Sequence, residues 1–216
     1  MSSITDPELR WVDGFRWAPE IGDGGGTSGI LCSGSTADRT PGVQLDKLEL
    51  DPVLVWVAEK CLTKGGGVRD WEGRARRALE AQQSFLLASE LWNGTIGEAS
   101  GNANLAASTA TTITSAPVGV VDAMAAIDSA LFRKLRNRPG MIHCRPEMVD
   151  MWANADLLRF DTGSMFSPLG NLIIADAGYT GDGPRSEPNG AVIDADETSQ
   201  WVYGTDLISV RLGAVE

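Results

Sequence analysis

Residues 70 to 92 constrain this chain more than any other stretch. Trp71, Ala75, Ala78, Leu79, Gln82, Phe85, Leu86, Ser89 and Trp92 recur at three- and four-residue spacing, the repeat of one face of an α-helix. Asp70 can cap the free N–H groups at the start, and Asn93-Gly94 supplies residue types that accept the left-handed conformation ending a helix. About 23 residues at ~1.5 Å each reach roughly 35 Å, twice the average helix. That is long for a small globule, so the helix needs a partner along part of its length. Its other face carries Arg74, Arg76, Arg77, Glu80 and Glu90, with Arg69 just before the start. A solvated charged face is the plain reading. Three arginines in the first turns nevertheless oppose the helix dipole, and cost stability unless carboxylates meet them. An acidic surface on a neighbouring copy would meet that need.

The segments around this helix are irregular. Residues 1 to 21 hold Trp11, Phe15, Trp17 and Ile21 without a sustained period, the pattern of an extended arm with aromatic anchors, which either folds back on its own core or docks on a neighbour. Residues 22 to 42 are dominated by Gly, Ser and Thr and bury little by themselves. A strand is expected near Val53 to Val57, then a turn at Lys64-Gly65-Gly66-Gly67. The two Gly-rich stretches bracket a protruding flap, and Gly24, Gly25, Gly26, Gly65, Gly66 and Gly67 are its candidate hinges.

After a small polar connection over 95 to 116, with a β-capable tail at Thr111 to Thr114, Pro117 opens a second expected helix. Its inward stripe is Val120, Val121, Met124, Ile127, Leu131 and Leu135, and Arg133, Lys134, Arg136 and Arg138 suit its C-terminal dipole. Met141 to Cys144 reads as a strand. Pro146 starts a third helix to about Asn154, with Met148, Val149, Met151 and Trp152 inward, and Leu172 to Ala175 reads as a buried strand. Residues 178 to 190 form a Gly/Pro loop, and two closing strands, Trp201 to Tyr203 and Leu207 to Leu212, flank a turn at Gly204 to Asp206. This alternation builds an α/β layer with helices packed on a small sheet, and with the arm, flap and long helix the chain as a whole is classed α+β.

Few chemistries fit. A formal charge of −11 opposes tight nucleic-acid binding, which draws on Lys and Arg. Cys32, Cys61 and Cys144 lack the spacing of a disulfide framework or a zinc site. The expectation is a cytoplasmic protein with no signal peptide, since Asp6, Glu8, Arg10 and Asp13 interrupt the N-terminus, and no membrane span, since no apolar run approaches ~18 residues. No phosphate loop occurs, and the Asn93-Gly94-Thr95 sequon reads as a helix end. His143 beside Cys144 resembles a base with its thiol, but neighbours in a strand point to opposite faces. Asp176 with Asp182, and Asp194 with Asp196 and Glu197, are acidic clusters without calcium-loop spacing. No catalytic residue, cofactor or metal is expected.

The order of aromatic arm, Gly-rich flap, long helix and α+β lobe resembles the HK97-type major capsid protein of tailed bacteriophages. Four stretches are similar to capsid proteins of actinobacterial phages: VRDWEGRARRALEAQQSFLLASELWNG (68 to 94), RPGMIHCRPEMVDMW (138 to 152), SPLGNLIIADAGYTGDGP (167 to 184) and WVYGTDLISVRLG (201 to 213). The resemblance implies an N-terminal arm at 1–21, an E-loop region at 22–67 and a P-domain at 68–116 with its spine helix at 70–92. It also implies an A-domain at 117–199 and strands returning to the P-domain at 200–216. It implies a non-enzymatic chain that assembles in the host cytoplasm, as hexamers and pentamers, into the icosahedral head of a virion. That shell encloses double-stranded DNA without sequence-specific binding, and its further partners are scaffold, portal or decoration proteins. Trp11, Phe15, Trp17, Arg69, Arg74, Arg76 and Arg77 are then the candidate inter-subunit contacts. No Lys-Asn pair with an assisting acid marks a crosslink; Lys47, Lys60 and Lys64 are the flap's lysines. The nearest alternative is an encapsulin-like bacterial shell. A different class is a small α/β metal-dependent hydrolase using Asp176, Asp182 or Asp194.

Overall fold

The computed structural model describes residues 15–17, 48–50, 57, 70–95, 103–188, 190–195 and 199–208. The chain divides into two compact units, Met1–Pro52 and Val53–Glu216. In the first, β1 (Phe15–Trp17) pairs antiparallel with β2 (Leu48–Leu50), Arg16 opposite Glu49. The expected arm and flap are therefore joined by a ladder. Trp11, Arg69 and the six candidate hinge glycines lie outside the described residues, as do the turn at 64–67 and all of the strand expected at 53–57 except Val57, which has no regular structure.

The second unit is mixed α+β: α1 (Trp71–Asn93), α2 (Val120–Lys134), α3 (Pro146–Asn154) and a five-stranded sheet. The strands are β3 (Met141–Cys144), β4 (Arg159–Asp161), β5 (Ser164–Phe166), β6 (Leu172–Ala175) and β7 (Tyr203–Thr205). They lie in the order β4-β5-β6-β3-β7. Only β3 and β6 are parallel, and the connection between them holds α3 and the β4–β5 hairpin, as a parallel pair requires a crossover.

Strand pleating separates two cores. Ile142, Cys144 and Ile173 face one side, where Met124, Ile127, Leu131 and Leu135 and then Met148 and Trp152 of α3 cover them. Trp152 also donates its indole N–H to the Val120 carbonyl at 3.2 Å, tying α3 to the start of α2. On the other side, Tyr203 and Tyr179 join Ala88 and Trp92 at the end of α1, with Leu105 and Ala106. The boundary expected at 116/117 thus falls inside one unit, and β7 of the 200–216 segment pairs with β3.

Several expectations are corrected. Thr111 to Thr114 form no strand. The second helix begins at Val120, capped by extended Gly119, three residues after Pro117. Val121 and Met151 are exposed, because each lies on its helix's outer flank. The closing strand expected at Trp201 to Tyr203 lies two residues later, at Tyr203–Thr205 (β7), over most of the expected turn at Gly204 to Asp206, and Leu207 and Ile208 have no regular structure; 209–212 lies outside the described residues. The hairpin β4–β5, turning at Thr162 (φ 47°) and Gly163 (φ 83°), was not foreseen.

Candidate functional site

The long helix ends as its sequence implies. The Asp70 carboxylate accepts from Gly73 N–H at 2.8 Å, and Gly94 closes the helix at φ 60° with its N–H on the Glu90 carbonyl at 2.7 Å. What differs is the buried face. Phe85 is 50% exposed and Gln82 is exposed, whereas Ala88 and Trp92 are buried. The Trp71 side chain lies outside the described set. Burial is confined to the last turns, and the first four turns contribute no residue to either core among the described residues.

The carboxyl end is held from several directions. Trp92 is fully buried, donates to the Asp182 carbonyl at 3.1 Å, and meets the rings of Tyr179 and Tyr203, each with centroids 4.9 Å away. Arg185 gives one guanidinium N–H group to the Asn93 carbonyl at 2.6 Å and another to Gly190 at 2.7 Å, so a loop cation satisfies a carbonyl at the helix end. A Cβ built on Gly178 would lie 2.3 Å from the Phe85 carbonyl oxygen, so only glycine lets this loop touch the helix backbone.

The arginines of the amino end find acids nearby. Arg76 lies 3.5 Å from Glu72, one turn before it, and Arg77 lies 3.7 Å from Asp70. The carboxylates that offset the dipole are thus the helix's own N-cap and first-turn acids, and a neighbouring copy is not required to supply them. These pairs are exposed, so each is worth only about 0.2–0.5 kcal/mol. Of the other candidate contacts, Phe15 and Trp17 lie in β1 of the first unit.

Two buried polar networks complete the lobe; the sequence marks His143 as a satisfied strand residue without naming its partners, and gives no reading of the first network. Asp128 sits inside the apolar stripe of α2. It accepts from the Ser167 hydroxyl, from the Asn171 amide at 2.6 Å and from Leu169 N–H at 3.0 Å. Asn171 in turn accepts from Gly140 N–H at 2.7 Å. One carboxyl group therefore joins α2, the β5–β6 turn and the start of β3, and its three hydrogen bonds offset a burial that would otherwise be costly. The signal was available: an acid between Ile127 and Leu131 on the buried face has no solvent to reach.

His143 forms the second network. Its Nδ1 lies 3.0 Å from the Tyr179 hydroxyl and its Nε2 3.0 Å from the Thr205 hydroxyl. Burial pushes its pKa down to about 4, and burial, with the Glu147 carboxylate adding, pushes the Cys144 thiol up to about 12. A neutral imidazole and a protonated thiol on opposite faces do not make a nucleophile and its base. Nearby, Arg145, Pro146, Glu147, Ala177, Tyr179 and Thr180 line a shallow groove of about 370 Å³ at the carboxyl ends of β3 and β6. Arg145 and Glu147 pair across it at 3.0 Å.

The acidic clusters do not converge. Asp176 accepts from Ser84 and Gly178, Asp182 accepts from Ala195 N–H, and Asp194 is exposed. Asp196 and Glu197 lie outside the described residues. Among the described residues no three His, Cys, Asp or Glu side chains are grouped to hold a metal ion. No described helix is long and apolar enough to cross a membrane. Compared with known protein families, with curated proteins and with solved structures, the chain matches none.

Proposed function

We propose that this chain is the shell-forming subunit of an HK97-type capsid. In this reading it self-assembles as hexamers and pentamers into an icosahedral head that encloses double-stranded DNA. One observation carries the proposal: among the described residues α1 enters a core only through its last turns, at Ala88 and Trp92, while its first four turns reach the lobe through one surface hydrogen bond, Ser84 to Asp176, and Phe85 is half exposed. A helix of 23 residues anchored at one end is wasteful in a monomer and useful in a lattice, where neighbours cover the remainder. The mixed α+β lobe, the preceding two-stranded ladder and the four similar stretches agree with that reading. In it the basic first turns meet carboxylates of adjacent subunits in addition to their own Glu72 and Asp70, and Phe15 and Trp17 are carried by the β1–β2 ladder.

Negative-stain microscopy and sedimentation velocity of the purified full chain test it. Shells or capsomers are expected, and charge reversal of Arg74, Arg76 and Arg77 together should lower their yield severalfold. A chain that stays monomeric at every concentration and ionic strength overturns the proposal. Packaged DNA, as opposed to an enclosed enzyme, separates a phage head from an encapsulin-like shell.

A further inference from the structure

The outer edge of the sheet, away from α1, is uncovered among the described residues. Strand β4 is terminal in the order β4-β5-β6-β3-β7, and no described segment pairs with its outer side. Its residues are all exposed, Phe160 at 68%. Edges of this kind are normally blunted by charge, twist or cover, because their unpaired N–H and C=O groups invite another strand.

The hairpin geometry says which groups are free. Thr162 and Gly163 form a two-residue turn with φ of 47° and 83°, the conformation of a tight primed turn. Asp161 and Ser164, which flank it, therefore make the hydrogen-bonded pair, Phe160 and Met165 the next, non-bonded pair, and Arg159 and Phe166 a bonded one. The N–H and C=O of Phe160 consequently point out from the sheet.

The side chains show what those groups would meet. Ile142, Ile173, Met165 and Phe160 are opposed in register across four strands, so they form one row on one face. That row starts in the core at Ile142 and Ile173, passes partly buried Met165 and ends on bare Phe160. On the other face of β4, Arg159 and Asp161 flank Phe160, and neither is ion-paired with a described residue.

We infer that β4 is an isologous docking edge for a second copy of this chain, paired antiparallel about a two-fold axis at Phe160. A two-fold turn carries Arg-Phe-Asp onto Asp-Phe-Arg. Phe160 of each copy exchanges both backbone hydrogen bonds with Phe160 of the second copy, and the two rings extend the apolar rows into each other. Arg159 faces Asp161 of the second copy, and Asp161 faces its Arg159. The charge order is thus complementary to itself and to no parallel arrangement, which is the argument for a second copy over an unrelated strand. The inference stands whether or not the chain builds a shell.

A charge swap tests it. In the full chain with Cys32→Ser and Cys61→Ser, Phe160→Cys places two thiols on the axis. Their Cα atoms would be about 5.5 Å apart, within the reach of a disulfide. Buried Cys144 stays protonated and silent. Mild oxidation should give a covalent dimer on a non-reducing gel. Adding Arg159→Asp or Asp161→Arg alone opposes like charges at both flanking positions, and should lower the dimer yield about tenfold. The double swap Arg159→Asp/Asp161→Arg restores complementarity and should recover the yield to within about twofold. Absence of the dimer, a yield indifferent to single reversals, or a double swap as poor as the singles overturns the inference. Sedimentation equilibrium of the same charge variants with Phe160 retained gives a reading free of the cysteine.

Discussion

The two ends of α1 are built on opposite principles. The carboxyl end is specified by shape: Trp92 fills a site between Tyr179 and Tyr203, Gly178 permits backbone contact, and Arg185 satisfies the Asn93 carbonyl. The amino end is specified by charge: Asp70 and Glu72 answer Arg77 and Arg76 at 3.7 and 3.5 Å in full solvent. Packing of the first kind is rigid and intolerant, and exposed pairing of the second kind is weak and exchangeable. One helix thus offers a fixed root and an adaptable tip.

The largest expected effect breaks the root. Trp92→Ala removes a fully buried ring and one of the two donors, with the Tyr203 hydroxyl, to the Asp182 carbonyl. It should cost about 3–5 kcal/mol in chemical denaturation; a cost below about 1 kcal/mol would mean that the two ends do not differ in kind. The next effect comes from acid. Folding lowers the His143 pKa from 6.5 to about 4, so the unfolded chain binds more protons between those values and stability falls as the pH drops through them. The contribution is complete above about pH 6.5 and is lost by about pH 4, where the loss reaches about 3 kcal/mol. Urea midpoints of the native chain and of His143→Gln, measured from pH 7 to pH 4, should converge as the pH falls. Parallel curves would remove His143 from the account. Smallest of all, Glu72→Gln should cost only about 0.2–0.5 kcal/mol and lose even that in molar salt, which guanidine-free thermal melts at two ionic strengths resolve.

Much of this architecture was legible. Caps at Asp70 and Gly94, the stripe Met124, Ile127, Leu131 and Leu135, strand β3, the Pro146 start of α3 and strand β6 follow from periodicity and helix-end chemistry. The failures have physical causes. Periodicity puts the half-exposed Phe85 inward because it defines a helix face without saying how far along the helix anything packs on it. Strands β4 and β5 are three residues each, too short to show alternation. Gly204 read as a turn, yet a Cβ there would meet Leu131 at 2.9 Å, so its smallness serves close packing of β7 under α2. Of the contact candidates, Arg76 and Arg77 lie exposed on the helix surface, each beside an acid of its own helix start. Their nearest acids escape the sequence because a reading of the charged face passes over Glu72 and takes Asp70 only as a cap.

Strand β3 sets a timetable for synthesis. Its neighbour β6 lies about 30 residues downstream and β7 about 60, through the pairs Met141 with Leu172 and Met141 with Thr205. At ~5–20 residues per second, roughly 3 to 13 seconds separate emergence of the first strand from that of the last. Throughout that interval one edge of β3 has no native partner, and His143 lacks the Thr205 hydroxyl that will occupy its second nitrogen. The nascent lobe therefore exposes a strand edge over that interval, and slower synthesis lengthens the exposure.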